Sequence, residues 1–396
     1  MSTYIASNAN RWYCQLESSY GQVPAVSAQN RIPAVKLTAK VTPLIPDRKD
    51  KSGSRTFAGQ PWGGRQETSF TLKTYMTGSA NAAVAPSYGP LIQAAMGAAA
   101  MGAAALLYAG GVSSAASNSG GTLGFATPHG LQPNQAVTFN GEIRFVGAVI
   151  DTLTVLLNAP FGTTPTAGAA IGATVTYGLA AALPSVSVFD YWSPATALQR
   201  ILCGGAINQL SVKLNSDYHE FDFQGVAQDL LDSASFASGS GQLSAFPVEP
   251  AFSGPLPSVI PGSLGQVWLG NAAAKFLTIT DGTISLDNDI ELRAKEFGSS
   301  LPRAVVPGNR KVLLDLDLYS RDDAATTELY QSARQRSPIG VALQLGQAAG
   351  SLMGIYLKSV IPEVPELEDS DRRLQWRFRN SRGQGTADDE MVLAFG

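Results

Sequence analysis

The chain contains few charged residues, two cysteines and two histidines. Charged residues make up 15% of its 396 residues, and the net charge is −3. A solvated monomer usually carries roughly a quarter charged residues, so we expect copies of the chain or other partners to cover much of its surface. Cys14 and Cys203 are isolated, which excludes a disulfide framework and a CxxC zinc site. They predict structural thiols in a reducing compartment.

Motifs for catalysis are also missing. The sequence has no GxSxG elbow, P-loop or HExxH motif, and no clustered basic excess that would bind nucleic acid. Asp287, Asp289 and Glu291 could offer oxygen ligands to Mg²⁺ or Ca²⁺, but no EF-hand glycine accompanies them. We therefore predict that the protein is not an enzyme and has no cofactor or metal. An all-β carbohydrate-active enzyme with two facing carboxylates is the alternative from another class.

Neither the start of the chain nor its longest apolar run predicts a secretory signal or a membrane span. The first residues, MSTYIASNANRWYC, contain neither a basic segment nor an apolar stretch. Residues 91–109 are just long enough to cross a bilayer, but they are mostly Ala and Gly and lack flanking Lys or Arg. We expect a short helix over residues 89–97, with Pro90 in its first turn, followed by a flexible segment. A helix packed against a neighbouring subunit is the alternative, and no membrane partner is expected.

A stretch rich in Ser, Gly and Pro divides the chain at residues 233–264. Such composition is typical of linkers and extended arms. It predicts a first domain over residues 1–232 and a second domain over residues 265–396. Within the first domain, short strands separated by turn signals cover about residues 120–180. They predict a small inserted β-domain that decorates an exterior surface.

Apart from this insert, the two halves show a similar order of elements. Residues 311–319 alternate strictly in polarity, and residues 322–335 change to helical spacing. Each half is predicted to contain two strands, a helix and at least three further strands, which suggests an internal duplication. The first half has strands 33–42 and 66–77, helix 89–97, and strands 185–191, 206–215 and 218–224. The second half has strands 276–293 and 311–319, helix 322–335, and strands 338–346, 352–360, 372–380 and 389–395.

Motifs in both halves follow the order of a known family. In the second half they run from Asp281-Gly282-Thr283 to Gly396 and include Gly308-Asn309-Arg310. In the first half, GRQETSFTLKTY precedes a Gly-Pro-Leu helix start, and INQLSVKL is followed by EFDFQG. This combination resembles the tail tube proteins of long-tailed bacteriophages. The resemblance implies two tail-tube-like β-sandwich or barrel domains, so we expect a mainly β fold with short helices, an internal duplication and the inserted small β-domain.

The resemblance also implies a function. Tail tube proteins stack as rings into a conduit for DNA, so the chain is expected to be a major tail tube subunit of the virion, assembled in the host cytoplasm. Its expected partners are other copies of itself, the tape measure, tail terminator and baseplate proteins, and double-stranded DNA that passes through without specific binding. A ring has six tube-domain positions, supplied by a trimer of duplicated chains or by a hexamer. A phage baseplate or decoration protein is the alternative.

Acidic residues at a spacing of two are the candidate lining of the bore. Strand side chains at this spacing share one face, and a conduit needs walls that give DNA phosphates little to bind. Ordinary solvent-facing positions on half-buried sheets are the alternative interpretation. The candidate lumen-facing residues are Glu220, Asp222, Asp287, Asp289, Glu291, Asp315 and Asp317.

Arginines alternate with apolar residues in the segment DRRLQWRFRNSR near the end of the chain. The alternation predicts a strand with one apolar face and one face rich in guanidinium groups. Because arginine forms bidentate contacts with carboxylates, we expect Arg373, Arg377 and Arg379 to pair with acidic faces of a neighbouring subunit. A nucleic-acid-binding strand is the alternative.

Overall fold

The computed structural model describes residues 4–46, 51, 53–56, 59, 64–79, 81–97, 105–114, 120–251, 257–270, 275–276, 278–369 and 372–396. Within these residues the protein is mainly β with short helices, which confirms that part of the predicted fold. Its strands form antiparallel pairs, and distant parts of the chain meet in one large sheet system. The pairing of distant strands therefore organises the whole molecule.

Short strands make up most of both halves. The first half contains β1 (Asn10–Leu16), β2 (Arg31–Ile32), β3 (Ala34–Pro43), β4 (Gln66–Tyr75), β5 (Leu106–Tyr108), β6 (Gly111–Val112), β7 (Thr122–Gly124) and β8 (Ala136–Phe139). It continues with β9 (Glu142–Val149), β10 (Thr154–Leu157), β11 (Ala170–Ile171), β12 (Thr174–Gly178), β13 (Val186–Trp192), β14 (Arg200–Leu214), β15 (Glu220–Ala227) and β16 (Asp229–Asp232). Helix α1 spans Gly89–Met96, and 3-10 turns lie at Ala28–Asn30 and Ser240–Gln242.

The second half has fewer strands and one longer helix. Its strands are β17 (Gly265–Leu269), β18 (Ile279–Asp287), β19 (Glu291–Leu292), β20 (Val305–Val306), β21 (Lys311–Tyr319), β22 (Ile339–Leu345), β23 (Met353–Ile361), β24 (Glu366–Glu368), β25 (Gln375–Gly383) and β26 (Val392–Phe395). Helix α2 spans Ala324–Gln335 and lies between β21 and β22.

Local sequence explains where the main elements begin and end. Pro90 lies in the first turn of α1, where the backbone N–H has no helical partner to lose. The helix stops at Gly97, whose φ of 102° suits glycine. The Asp323 carboxylate caps α2 by accepting a 2.8 Å hydrogen bond from the Thr326 N–H. β21 alternates between buried apolar side chains and more exposed ones that include Asp315 and Asp317. The predictions for α1, α2 and β21 are therefore confirmed.

Seven strands and one helix of the first half have counterparts in the second half. We call β1, β3, β4, α1, β13, β14, β15 and β16 the first unit, and β17, β18, β21, α2, β22, β23, β25 and β26 the second unit. The first unit pairs β1 with β13, β3 with β4, β4 with β15, β15 with β14, β14 with β13, and β14 with β16. The second unit repeats these pairings, in the same order, as β17 with β22, β18 with β21, β21 with β25, β25 with β23, β23 with β22, and β23 with β26. The two units therefore have the same topology, as a duplicated chain would.

The two units are joined edge to edge. Residues 209–214 of β14 pair antiparallel with residues 282–287 of β18. This junction completes a sheet in the order β3-β4-β15-β14-β18-β21-β25-β24, which we call the shared sheet. The predicted first and second domains therefore share one sheet in addition to the segment that connects them.

An apolar core fills one side of the shared sheet. On that side lie both helices, the first flanking sheet (β2, β1, β13, the start of β14, and β16) and the second flanking sheet (β17, β22, β23, β26, β12 and β5). Ile92 of α1, Leu329 of α2, Phe223 and Leu316 of the shared sheet, and Val188 of the first flanking sheet are buried in one cluster. The core is therefore continuous through both units.

A four-stranded sheet, β7-β10-β9-β8, forms the inserted domain. One face has its own small core, which includes Leu123 and Val155. The other face packs on the second flanking sheet, where the Phe145 ring stacks on the Tyr356 ring with 5.3 Å between centroids. One strand that was predicted for this domain, β12, belongs instead to the second flanking sheet, because it pairs with β26 and β5. The pairing with β26 joins distant segments, so local sequence gave no sign of it.

The Ser-, Gly- and Pro-rich segment covers the first unit. Residues 239–250, which we call the arm, place Leu243 and Phe246 against the outer side of the first flanking sheet. The Glu249 carboxylate accepts hydrogen bonds from the Arg11 guanidinium and, at 3.0 Å, from the Tyr13 hydroxyl. The composition of this segment is that of a linker, but the arm is folded onto the protein. Residues 252–256 lie outside the described residues.

The longest apolar run is divided between a helix and a strand. The predicted short helix is present as α1, which ends at Met96. Residues 98–104, where a flexible segment was predicted, lie outside the described part of the chain, and β5 follows them. No helix among the described residues has the length and apolar character needed to cross a membrane.

Candidate functional site

One face of the shared sheet is polar. Its side chains alternate along each strand with core residues; on β15, for example, Glu220 and Asp222 alternate with the buried Phe221 and Phe223. The strand register places the polar side chains next to one another in rows. One row runs through Thr38, Thr71, Gln224, Gln209, Asp287 and Lys311. A continuous polar surface therefore crosses both units on the side opposite the core.

The structure brings together on this polar face five of the seven acids that were predicted to face the lumen. These five lie on β15, β18 and β21 and are Glu220, Asp222, Asp287, Asp315 and Asp317. They come from both units, and the junction between β14 and β18 places them in one sheet. That these side chains face a lumen stays a prediction.

Asp289 and Glu291 do not continue the polar face of β18, so the prediction that they share a strand with Asp287 is wrong. The strand ends at Asp287, and Asn288 turns into the core, where its amide donates to the Ala95 carbonyl oxygen at 2.8 Å. Asp289 then adopts a left-handed φ of 51°. Glu291 lies in β19, which forms a separate two-stranded sheet with β20. The polar alternation therefore breaks at Asn288.

Acids and bases on the polar face are paired within the chain. The Lys73 ammonium lies 3.5 Å from the Glu220 carboxylate. Asp317 binds the Arg379 guanidinium through both carboxylate oxygens, one of them at 2.9 Å, and lies 3.9 Å from Arg377. The hydrogen bond to Asp317 raises the pKa of Arg379, so its guanidinium stays charged. The face is therefore a surface of mixed charge in which Lys73, Arg377 and Arg379 have acidic neighbours.

The three predicted inter-subunit arginines also have partners in their own chain. Besides Asp317, Arg377 lies 3.3 Å from the Glu368 carboxylate. The Arg373 guanidinium stands 5.2 Å from the centroid of the Tyr319 ring, as in a cation–π contact. Contacts between subunits are therefore not required to satisfy these side chains. A role between subunits for Arg373, Arg377 and Arg379 stays a prediction.

The shared sheet ends in two open edges. β3 pairs with β4 and β24 pairs with β25, and no other described strand pairs with the far side of β3 or β24. An unpaired strand edge can pair with a strand of another chain unless it is protected. Apolar side chains at these edges are exposed, with 41% of Val35, 45% of Val364 and 65% of Leu367 accessible. Both edges are therefore suited to the addition of a strand.

An open groove lies beside the β3 edge. It has a volume of about 550 Å³. Trp12, Trp192 and Ile32 line it from the first flanking sheet, and Ala34 and Leu37 line it from β3. The basic side chains of Arg11, Arg31 and Lys36 line it as well. Aromatic and aliphatic walls of this kind bind apolar side chains. The groove therefore extends the β3 edge into a larger binding surface.

The sequence patterns did not predict the open edges or the groove. Both arise from pairing between segments that are distant in the chain, which local periodicity does not report. One local signal was present: Pro362 and Pro365 come just before β24. Proline cannot donate to a strand ladder and is confined largely to sheet edges, so these residues mark an edge.

Other kinds of site find little support in the described residues. Among them, no cluster of three or more His, Cys, Asp or Glu side chains is arranged for a metal ion. Cys14 and Cys203 are buried, and burial raises the pKa of both thiols, which makes them poor nucleophiles. The sequence matches no protein-family model, and comparison with curated proteins gives no match. The polar face and the two open edges are therefore the best candidates for function.

Proposed function

We propose that the protein is the major tail tube subunit of a long-tailed bacteriophage, a structural virion protein whose rings stack into a hollow conduit for viral DNA. One observation carries this proposal. Two units of the same topology are joined through a single sheet, and that sheet ends in an open edge on each side. Such a chain is built to be continued at both ends by further copies of itself.

The junction inside the chain supplies the rule for assembly. There, the end of β14 in the first unit pairs with β18 of the second unit. Repeating this step between chains joins the second unit of one copy to the first unit of the next. A head-to-tail contact closes into a ring when its rotation divides the circle, and closure removes both open edges. With two units in each chain, three chains supply the six positions of the ring.

Ring closure by this rule gives a wide bore. Each unit contributes four strands to the shared sheet: β3, β4, β15 and β14 in the first unit, and β18, β21, β25 and β24 in the second. Six units would then surround the bore with about 24 strands, whereas barrels of roughly 16–18 strands already leave an aqueous channel. The interior is therefore open to solvent and to a large solute.

The polar face is the face that lines the bore. The helices and both flanking sheets lie on the opposite, apolar side of the shared sheet. The inserted domain and the arm lie further out, on the outer sides of the flanking sheets. Closing the ring with these layers inside would fill the interior, so they must form the outer wall.

The charges on the polar face suit a conduit. Lysine and arginine bind DNA by replacing the counterions of its phosphates. Here Arg379 is held by Asp317, and Lys73 lies beside Glu220. Asp222 adds negative charge on the same face, and salt limits its repulsion to a range of about 8 Å. Duplex DNA would therefore slide past this wall without specific binding.

The remaining partners follow from the proposed tube. Rings would stack along the axis, with the tape measure protein in the bore and the tail terminator and baseplate proteins at the ends. Assembly would take place in the host cytoplasm, and the product would be part of the virion tail. This role is structural and requires no enzymatic activity and no cofactor.

Negative-stain electron microscopy of the purified protein, together with sedimentation, tests the proposal. We expect rings or tubes whose fraction rises with protein concentration. We also expect no retention of long duplex DNA in a gel shift at low salt. A protein that stays monomeric at high concentration contradicts the tube, and tight, salt-sensitive binding of DNA contradicts the inert bore.

A further inference from the structure

The junction inside the chain shows how the end of one unit fits the next. The turn that connects β14 to β15 enters a pocket at the start of the second unit. The His219 imidazole lies 2.8 Å from the Leu264 carbonyl oxygen. The Asn215 amide donates to the Thr280 carbonyl oxygen at 2.5 Å. Strand pairing and this turn together hold the two units side by side.

The first unit has the equivalent pocket, but it is open. β1 and β3 hold the places that β17 and β18 hold in the second unit, and Asn10 pairs with Trp192 as Gly265 pairs with Leu345. The groove of about 550 Å³ beside β3 therefore corresponds to the pocket that receives the β14–β15 turn. In that filled pocket, only about 170 Å³ remains.

The second unit has its own counterpart of the segment that docks at the internal junction. β24 corresponds to the end of β14, and Leu374 before β25 corresponds to His219 before β15, because Leu367 lies opposite Trp376 as Val212 lies opposite Phe221. Val212 is 0% exposed because β18 covers it, whereas Leu367 is 65% exposed. The same segment is thus covered at the internal junction and exposed at the open edge of the second unit.

The residues that precede β15 and β25 show the same contrast in exposure. His219 precedes β15 and is 1% exposed, because it is enclosed by the start of the second unit. Leu374 precedes β25 and is 41% exposed. The apolar side chain of Leu374 is therefore exposed at the position that corresponds to the buried His219 of the first unit.

We infer that β24 of one copy pairs antiparallel with β3 of the next copy, and that Leu374, just before β25, enters the groove between Trp12 and Trp192. The partner is a second copy of this chain. The inference rests on the proposed ring and specifies which surfaces close it. The contact between copies is then a repeat of the contact between the two units of one chain.

The internal junction also sets the register of the contact. Val212 of β14 lies opposite Ile284 of β18, and Ile284 lies opposite Leu314 of β21 on its other side. In the first unit, Ala39 of β3 lies opposite Phe70 of β4. Since Phe70 and Leu314 hold equivalent places beside β15 and β25, Ala39 is the counterpart of Ile284.

This register places opposite charges across the contact. It sets Leu367 of one copy opposite Ala39 of the next, on the core face, and Glu366 opposite Lys40, on the polar face. β3 carries a second base, Lys36, on its exposed side. Opposite charges that face each other across two strands stabilise their pairing. A basic edge therefore meets an acidic edge, which favours head-to-tail over head-to-head contact.

A cysteine pair tests this register. Directly opposed residues of antiparallel strands have Cα atoms about 4.5–5.5 Å apart, which a disulfide can bridge. Oxidation of the Ala39→Cys/Leu367→Cys protein should link copies covalently. A non-reducing gel should then show a ladder that ends at the number of chains in a ring. The native thiols of Cys14 and Cys203 are buried and do not compete.

The Thr42→Cys/Leu367→Cys protein is the matched control, because Thr42 lies on the same strand but out of register. It should give no ladder, and neither should the single-cysteine variants. If microscopy shows rings but the Ala39 pair does not cross-link, or the Thr42 pair does so equally well, this docking is overturned while the tube survives. If the unmodified protein forms no rings at all, the proposed function itself fails.

A charge exchange gives a second test that leaves the core untouched. Lys40→Glu and Glu366→Lys should each reduce the polymerised fraction at least tenfold, because like charges then face each other across the contact. The double variant should restore polymerisation. Thermal unfolding of the Lys40→Glu monomer should stay unchanged, whereas Glu366→Lys also sets a lysine opposite Arg377 of its own chain and should lower the unfolding temperature slightly. A Lys40→Glu protein that polymerises normally would overturn the inference.

Discussion

The two units have the same strand pairings, yet different segments cover their flanking sheets. The arm covers the first flanking sheet, with Phe246 against a cluster that includes Tyr191. The inserted domain covers the second, with Phe145 on Tyr356. No described segment forms such a layer on the polar face of either unit. The outer layer can thus be supplied by unrelated segments, whereas the shared sheet and its register are common to both units.

A second difference lies in the strand that ends at the junction. In the first unit, β14 is a single strand of 15 residues whose end pairs with β18. In the second unit, the corresponding chain is divided into β23 and β24, with Pro362 and Pro365 between them. Proline removes a ladder donor, so the open edge at β24 is short. Short edges limit pairing with unrelated strands.

The largest effects on stability and assembly are expected when an aspartate replaces Val212 at the internal junction or its counterpart Leu367 at the open edge. Val212→Asp buries a carboxylate with no partner and should lower the free energy of unfolding by more than about 4 kcal/mol. Leu367→Asp is at an exposed position and should change the stability of the monomer by less than about 0.5 kcal/mol, while it abolishes rings. Urea denaturation measures the first quantity, and sedimentation measures the second.

Equal destabilisation by Val212→Asp and Leu367→Asp would contradict the contrast between a covered and an open end. Leu367→Met is the matched control, since it keeps an apolar side chain at the edge. It should leave both stability and ring formation unchanged.

The two outer layers should differ in strength. Phe145 is 1% exposed, and Phe145→Ala should lower the free energy of unfolding by about 3 kcal/mol, because it leaves a cavity against Tyr356. Phe246 is only half-buried, so Phe246→Ala should cost about half as much. Denaturation curves measure both, and protease cleavage near residue 246 should increase only in the second variant. The reverse order of stability would contradict the view of the arm as the looser layer.

The polar face offers a matched pair of charge reversals. Arg379→Glu removes a two-oxygen contact with Asp317 and should lower the stability of the monomer by about 1 kcal/mol, since the pair is partly exposed. Lys73→Glu removes one contact of 3.5 Å with Glu220 and should cost less. If Arg379 also pairs between subunits, Arg379→Glu will impair polymerisation. Normal polymerisation would confine its role to its own chain.

The smallest expected effect is the loss of arm stability at acidic pH. Burial raises the pKa of Glu249, but hydrogen bonds from Arg11 and Tyr13 outweigh burial, so the pKa lies below its ordinary value of 4.5. Glu249 therefore stabilises the arm fully above pH 4.5, and this contribution is lost as the pH falls through the lower folded-state pKa. Cleavage of the arm by an acid-active protease should rise over that range. Glu249→Gln should abolish the pH dependence, whereas a flat profile in the natural protein would contradict it.

The sequence predicts those elements that local rules determine. The strict alternation of β21 identified its bounds, residues 311–319, without error. Pro90 indicated the start of α1, and the helical spacing of residues 322–335 indicated α2. In these elements the periodicity and the caps agree with the fold, so short-range patterns were sufficient.

Features that depend on pairing between strands distant in the sequence were not predicted. β12 looked like part of the inserted domain, although it pairs with β26 more than 200 residues later. The polar spacing through Asp289 and Glu291 looked like a continued strand, but Asn288 is drawn into the core by the Ala95 carbonyl. The open edges and the groove exist only once distant segments have paired; the groove, for example, is lined by residues 7–37 together with Trp192. Periodicity reports which face of a strand is buried, and it does not report which strand lies beside it.

The rotational symmetry of a single ring, viewed end-on by cryo-electron microscopy, is the sharpest test of the proposed tube. We predict three chains that present six similar positions, with Asp222 and Asp287 facing the bore and the inserted domains outside. A chain that remains solitary at high concentration, or a ring whose bore is lined by the inserted domains, would contradict the account.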